Sequence, residues 1–230
     1  EEMSLHRAWN YMNENDIQTL AVVDEDRHLK GLLTLSDIAR FYMEDKDANA
    51  LAEAGTSYRN LVDVLDGTLI VGDIEKRFEQ GSVVVAAANP DVLEDYIGPH
   101  DMVILGNRYE SQLCAIEMNA GCIIIGLGAK VSRTIRKLAN ENQVSIIATP
   151  LTTYSCAKVV SQAVPVRHVM RRRGLITFEP DDVVEDVKRA VSKKRMRYYP
   201  LLDEQGRYIG MFSQRNLLDL ERPSVILVDH

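Results

Sequence analysis

Two polar triplets in this chain repeat at a fixed interval. Gly31, Thr34 and Asp37 form the first; Gly210, Ser213 and Asn216 form the second, each member 179 positions after its counterpart. In both, a glycine opens a short apolar run, and a hydroxyl residue is followed three positions later by an acid or an amide. At a helix start, that hydroxyl lies among free backbone N–H groups and the positive end of the helix dipole, which favours an anionic oxygen. Asp37 or Asn216, one turn into the helix, can accept hydrogen bonds from two adjacent hydroxyls. The same spacing also makes a plain N-cap that only starts a helix. For a lone copy capping is the better reading; the duplication favours a binding role.

Just ahead of the second triplet the chain reads RMRYYP, residues 195–200. Tyr198 and Tyr199 alternate faces if this is a strand, so one can line a cleft while the other packs inward. Arg195 and Arg197 share parity with Tyr199 and would leave the strand on one side together with it. An aromatic ring for a flat base beside guanidinium groups for phosphate is a coherent cradle. A half-buried strand with solvated arginines is the plain alternative. The first copy has Gln18, Thr19 and Leu20 where the second has Arg197, Tyr198 and Tyr199. It is less basic and less aromatic, so the stronger site is expected in the second copy, with Asp37 reaching a shared ligand across the interface.

The elements that must hold these residues are also duplicated. Residues 17–37 align without a gap on residues 196–216: an apolar strand ending in Asp-Glu, a turn, a short strand beginning near glycine, and a new helix. Upstream, Leu5, Ala8 and Met12 fall on Val184, Val187 and Val191, the spacing of a helix with one buried stripe. Between the copies, from about residue 58 to 163, apolar strands alternate with helical segments. Unalternated, buried strands of this kind imply a parallel or mixed α/β sheet.

Composition narrows the chemistry. The 230 residues carry a formal charge of −7, with 46% hydrophobic and 27% charged residues. An acidic chain lacks the general basic face that nucleic acid requires. The runs Arg171–Arg173 and Lys193–Arg197 are basic islands suited to a small polyphosphate or simply to a solvated surface. Three cysteines give no complete disulfide framework, and Cys122 reads as a small buried hydrophobe. Apolar runs fall short of a membrane span and no signal peptide is visible, so a cytoplasmic location without membrane contact is expected. The five histidines have no metal-ligand spacing. The Gly126–Lys130 loop could cradle phosphate, although it lacks Walker spacing, and tight strand–helix packing is its other reading.

The repeated unit resembles the cystathionine-beta-synthase (CBS) domain, and residues 106–163 resemble the DRTGG domain, with Gly106-Asn107-Arg108 where that family tends to have Gly-Asp-Arg. The ending Val225–His230 resembles the start of the Asp-His-Asn motif of family II inorganic pyrophosphatases. The order CBS, DRTGG, CBS is similar to the regulatory insert of the nucleotide-regulated members. The resemblance implies an α/β fold of paired CBS domains (a Bateman module) with an inserted DRTGG domain. Expected bounds are 1–56 for the first CBS domain, 57–163 for DRTGG, 164–222 for the second CBS domain, and 223–230 as linker and start of a catalytic domain. The second copy has residues 166–182 ahead of its helix; the first begins at Glu1 with nothing equivalent, leaving its cleft without that wall. By the same resemblance Arg197 and Tyr199, with Tyr198 and Pro200 beside them, would stand at the ligand, and backbone groups at Ile176, Thr177 and Phe178 would read adenine edges.

By resemblance the ligands are AMP and ADP (inhibitory) and ATP or diadenosine polyphosphates (activating). A homodimer is implied, with catalytic domains in cis. A divalent metal (Mn or Co, and Mg) would belong only to the full-length enzyme, where His230 would be a ligand; within this chain no cofactor is expected. Two other readings stay open: a nucleotide-independent dimerisation scaffold, and a phosphate-ester enzyme using the Gly126–Lys130 loop.

Overall fold

The structure is a computed structural model and describes residues 1–43, 48–86, 90–193 and 196–214. Arg195, Asn216 and His230 lie outside the described residues. The chain divides into two compact units. One holds residues 11–40 and, of those described, 169–214, with Glu1; the other holds residues 2–10 and 41–168.

The first unit is built on two antiparallel hairpins. Strands Thr19–Val23 and Leu29–Thr34 make one; Tyr198–Leu202 and Tyr208–Ser213 make the other. Their registers coincide: Thr19 faces Thr34 as Tyr198 faces Ser213, and each hairpin slips at the same place, between Val22 and Val23 and between Leu201 and Leu202. The caps coincide too, since the Leu35 N–H donates to the Gln18 carbonyl as the Gln214 N–H does to that of Arg197. The two copies meet through equivalent residues. His28 bridges to Arg207, and Arg197 Nη1 donates to Gln18 Oε1, both pairs being 179 apart. Contacts between counterparts mark a local pseudo-two-fold axis.

The segment before the second copy serves both hairpins. Arg171 exchanges backbone hydrogen bonds with Leu32 of the first, at 2.8 and 3.0 Å. Phe178 does so with the second, donating to the Pro200 carbonyl at 3.1 Å and accepting from Leu202 at 2.9 Å. The first hairpin is therefore walled after all, by Met170 and Arg171. This crossing demands Gly31, where an added Cβ would stand 2.8 Å from Met170 Sδ and 2.9 Å from the Arg171 carbonyl oxygen.

The second unit centres on a five-stranded sheet in the order Thr68–Val71, Ser145–Ala148, Cys122–Ile125, Met102–Leu105, Val83–Val85. The first of these runs antiparallel to its neighbour and the rest are parallel. Met102–Leu105 and Cys122–Ile125 are buried along their whole length, as expected where crossover helices cover a parallel sheet. Helices Tyr109–Glu117 and Arg133–Glu141 make the crossovers. Ser132, Thr152 and Ser57 cap their helices through side-chain oxygens. Cys114, Cys122 and Cys156 are all buried, and burial pushes the Cys122 thiol up to about 12.

Candidate functional site

Among the described residues of the first unit, two neighbouring clefts bear on the site. The smaller, about 300 Å³, lies beside the start of the Leu35–Met43 helix. Thr34, Leu35 and Ser36 line one side and Gln18, Thr19 and Leu32 another. Arg171, Met196, Arg197 and Tyr198 close it. The larger, about 600 Å³, is lined by Ser213, Met211, Tyr208 and Tyr198, with residues 16–21 and Tyr11 opposite. The shift between copies carries one cleft onto the other: Thr34 to Ser213, Leu32 to Met211, Thr19 to Tyr198 and Ile17 to Met196. Gln18, Thr19 and Tyr198 line both. The clefts are thus pseudo-symmetric neighbours sharing a wall at the local dyad.

Their chemistry is unequal. Arg171 and Arg197 both line the Thr34 cleft. The described lining of the Ser213 cleft holds three tyrosines and Asp16 and no arginine or lysine. The guanidinium expected to serve the second copy's own triplet therefore faces the helix start of the first. The reason is the dyad contact, which draws Arg197 onto Gln18.

Asp37 is held by the protein itself. Its Oδ2 accepts from the Thr34 hydroxyl at 2.6 Å and the Thr34 N–H at 3.1 Å, and the Asp37 N–H donates back to Thr34 Oγ1 at 3.2 Å. Its Oδ1 accepts from Arg40 at 2.9 Å and from Arg171 at 3.1 Å. The reciprocal bonds with Thr34 are a capping box. Burial alone would raise this carboxyl, but the Thr34 hydrogen bonds and Arg171 outweigh it and hold the group below the usual carboxylate range.

The remaining site expectations divide. Thr34, Arg197 and Tyr198 come together at one cleft, and Ser213 stands with Tyr198 at the other. Tyr199 departs from expectation: it is fully buried, stacked on Phe212 at 5.3 Å and tilted against Phe178 at 5.6 Å. Its hydroxyl accepts from the Met196 N–H at 3.0 Å. The strand's alternation was right, but its phase gives the cleft face to Tyr198, because Phe178 and Phe212 build an aromatic pocket on the other side. Pro200 is buried in the hairpin opposite Met211. Phe178 commits both backbone groups to the second hairpin; it and Ile176 pack in that core, Thr177 is exposed, and none of the three lines either cleft. The residue that sequence reading missed is Arg171. It was visible only as part of a basic run, and its pairing with Leu32 leaves no periodic trace.

In the second unit, the Gly126–Lys130 loop spends its amides on the fold. Leu127 and Gly128 N–H groups donate to the carbonyls of Leu151 and Thr149, at 2.8 and 2.9 Å. A Cβ on Gly126 would stand 2.7 Å from the Leu151 oxygen. Close packing explains this glycine turn. Among the described residues, no group of three or more His, Cys, Asp or Glu is placed to hold a metal ion, and no helix is long and apolar enough to cross a membrane.

Comparison with known proteins accords with this architecture. The DRTGG domain family matches residues 60–163, and the CBS domain family matches residues 1–44 and 166–222. The cobalt-dependent inorganic pyrophosphatase of Clostridium perfringens is 34% identical over 229 residues, covering 100% of this chain and 42% of that enzyme. A probable manganese-dependent inorganic pyrophosphatase of Thermotoga maritima is 28% identical over 219 residues, covering 95% of this chain and 40% of that protein. The chain thus spans about two fifths of the length of these relatives. A crystal structure of the CBS and DRTGG domains of the regulatory region of the C. perfringens pyrophosphatase, complexed with its activator diadenosine tetraphosphate, superposes with a TM-score of 0.89. The match covers 93% of both chains at 34% identity. The chain therefore belongs to the family of CBS–DRTGG regulatory regions of inorganic pyrophosphatases.

Proposed function

We propose that this chain is the adenine-nucleotide-sensing regulatory region of an inorganic pyrophosphatase, acting on catalytic domains joined to it in cis. The observation that carries this reading is the Thr34 cleft: a helix start, a hydroxyl and two guanidiniums around about 300 Å³, with a tyrosine at the wall. A helix N-terminus and paired arginines suit phosphate oxygens. Tyr198 suits a stacked base. The structural relative was crystallised with diadenosine tetraphosphate, which supports the same ligand class here.

AMP and ADP are the proposed inhibitors, and ATP or diadenosine polyphosphates the activators. A sensor can shift its partner only by binding two arrangements of the CBS pair with different affinity. Two clefts sharing a wall suit that role, because a ligand filling one constrains residues of the other. A long dinucleotide can also bridge two sites that mononucleotides fill singly. We further propose the domain bounds 1–56, 57–163 and 164–222, with 223–230 leading into the catalytic domain. A cytoplasmic homodimer is the proposed setting, and the Mn, Co or Mg ions are assigned to the catalytic part.

Calorimetric titration with AMP, ADP, ATP and diadenosine tetraphosphate tests this. Binding between micromolar and millimolar concentrations is expected, weakened about tenfold by Arg197→Ala. Absence of binding by the whole panel up to millimolar concentration would overturn the proposal. The scaffold reading fails if light scattering of the dimer responds to nucleotide.

A further inference from the structure

We infer that the Ser213 cleft is a separate site for an uncharged nucleoside, a planar base with its ribose hydroxyls and no phosphate. The inference rests on the proposed reading of the Thr34 cleft as the nucleotide site, because the two clefts differ in kind. At about 600 Å³ the Ser213 cleft has room for a whole nucleoside. Tyr11, Tyr198 and Tyr208 line it, with Met211 and aliphatic side chains between them. Such rings offer stacking faces to a base, and stacking needs no charge on the ligand.

The polar groups of this cleft are uncommitted. Among the described residues, none bonds to the hydroxyls of Tyr11, Tyr198 and Tyr208 or pairs with the Asp16 carboxylate. A carboxylate can accept from two vicinal hydroxyls, and it repels a phosphate brought beside it. The residues 179 positions from Tyr11, Asp16 and Tyr208 are Ala190, Arg195 and Leu29. An acid thus stands where the other copy carries a base, and these two tyrosines have no aromatic counterpart. The third, Tyr198, answers to Thr19.

The walls are held by backbone. The Tyr208 N–H donates to the Arg27 carbonyl at 2.8 Å, and Tyr198 stands opposite Ser213 in its hairpin. The turn carrying Asp16 is closed by the Ile17 N–H, which donates to the Met12 carbonyl at 2.8 Å. Rings placed before the ligand arrives remove an ordering cost from binding.

Calorimetry on the full chain, titrating adenosine into AMP-saturated protein, tests the assignment. One equivalent of adenosine per chain is expected to bind within the millimolar range, and AMP itself at one equivalent. Tyr11→Ala and Tyr208→Leu are each expected to weaken adenosine about tenfold. Tyr11 is 50% exposed, and leucine is what the first copy carries at the counterpart of Tyr208. Circular dichroism verifies the fold of both variants.

Exclusion of adenosine by saturating AMP would put both ligands in one cleft and overturn the inference. A second equivalent of AMP would do so too, since the Ser213 cleft would then admit phosphate. So would adenosine that fails to bind up to millimolar concentration, or that binds both folded variants as tightly as wild type. Each of these results leaves the nucleotide reading standing. Failure of AMP to bind at all would remove that reading, and with it the contrast on which this assignment rests.

Discussion

Leu20 stands opposite Leu33 in the first hairpin, where Tyr199 stands opposite Phe212 in the second. The backbones agree down to the slip in register, yet the interiors differ. The second copy packs three rings, Phe178, Tyr199 and Phe212, with centroids 5.3–5.6 Å apart. The first fills the equivalent strand positions with aliphatic side chains and accepts Met170 and Arg171 across Gly31. A strand ladder is set by backbone groups and tolerates a change of side chain so long as the facing surface is complementary. The same latitude lets one copy supply cations and the other the helix start, giving two unequal clefts from a duplicated unit.

The largest effect should come from the aromatic core. Phe212→Ala is expected to cost about 3–5 kcal/mol and its counterpart Leu33→Ala about 2–5 kcal/mol. Urea unfolding of both variants would show whether the ringed copy carries more of the stability. If Leu33→Ala costs clearly more, the comparison is reversed. Next is Gly31→Val, which must push Met170 and the Arg171 carbonyl aside. A loss of about 1–3 kcal/mol is expected, together with weaker anion binding, because the wall carrying Arg171 moves. A variant of full stability and affinity would show that this crossing is looser than described.

The tyrosine pair gives a finer test. Tyr198→Ala should weaken nucleotide binding about tenfold at little cost in stability. Tyr199→Phe should cost about 1 kcal/mol, for the bond from the Met196 N–H, and leave affinity unchanged. Reversed outcomes would restore Tyr199 to the site.

The smallest effect concerns pH. The Asp37 carboxyl is held below its usual range, so its contribution is complete above about pH 4, the unfolded value, and is lost as pH falls through the folded one. Melting temperature should therefore drop more steeply below about pH 4 in wild type than in Asp37→Asn. Parallel curves would contradict the ion pair.

Much of the frame was legible from spacing. The gapless repeat required equal hairpins, and the unalternated runs around residues 102–105 and 122–125 required covered strands. The stripe of Leu5, Ala8 and Met12 required a buried helix face, and all three are buried. The site was less legible. Alternation says that Tyr198 and Tyr199 part company, but only the positions of Phe178 and Phe212 say which turns inward. Thr34 and Asp37 can cap a helix or hold a ligand, and spacing gave no sign that Asp37 would pair with Arg171, 134 residues away. A two-residue pairing such as Arg171 with Leu32 has no period, so no window of sequence reveals it.

The sequence by itself determined the repeat, the equivalence of its two strand–turn–strand copies and the α/β class of the insert. Those follow from local side-chain period and turn chemistry. Tertiary structure decided which guanidinium faces which helix start, which tyrosine lines a cleft, and that Asp37 is already engaged. Each of these depends on contacts between segments far apart in the chain, where hydrogen-bond reach and excluded volume act only once the backbone has brought them together.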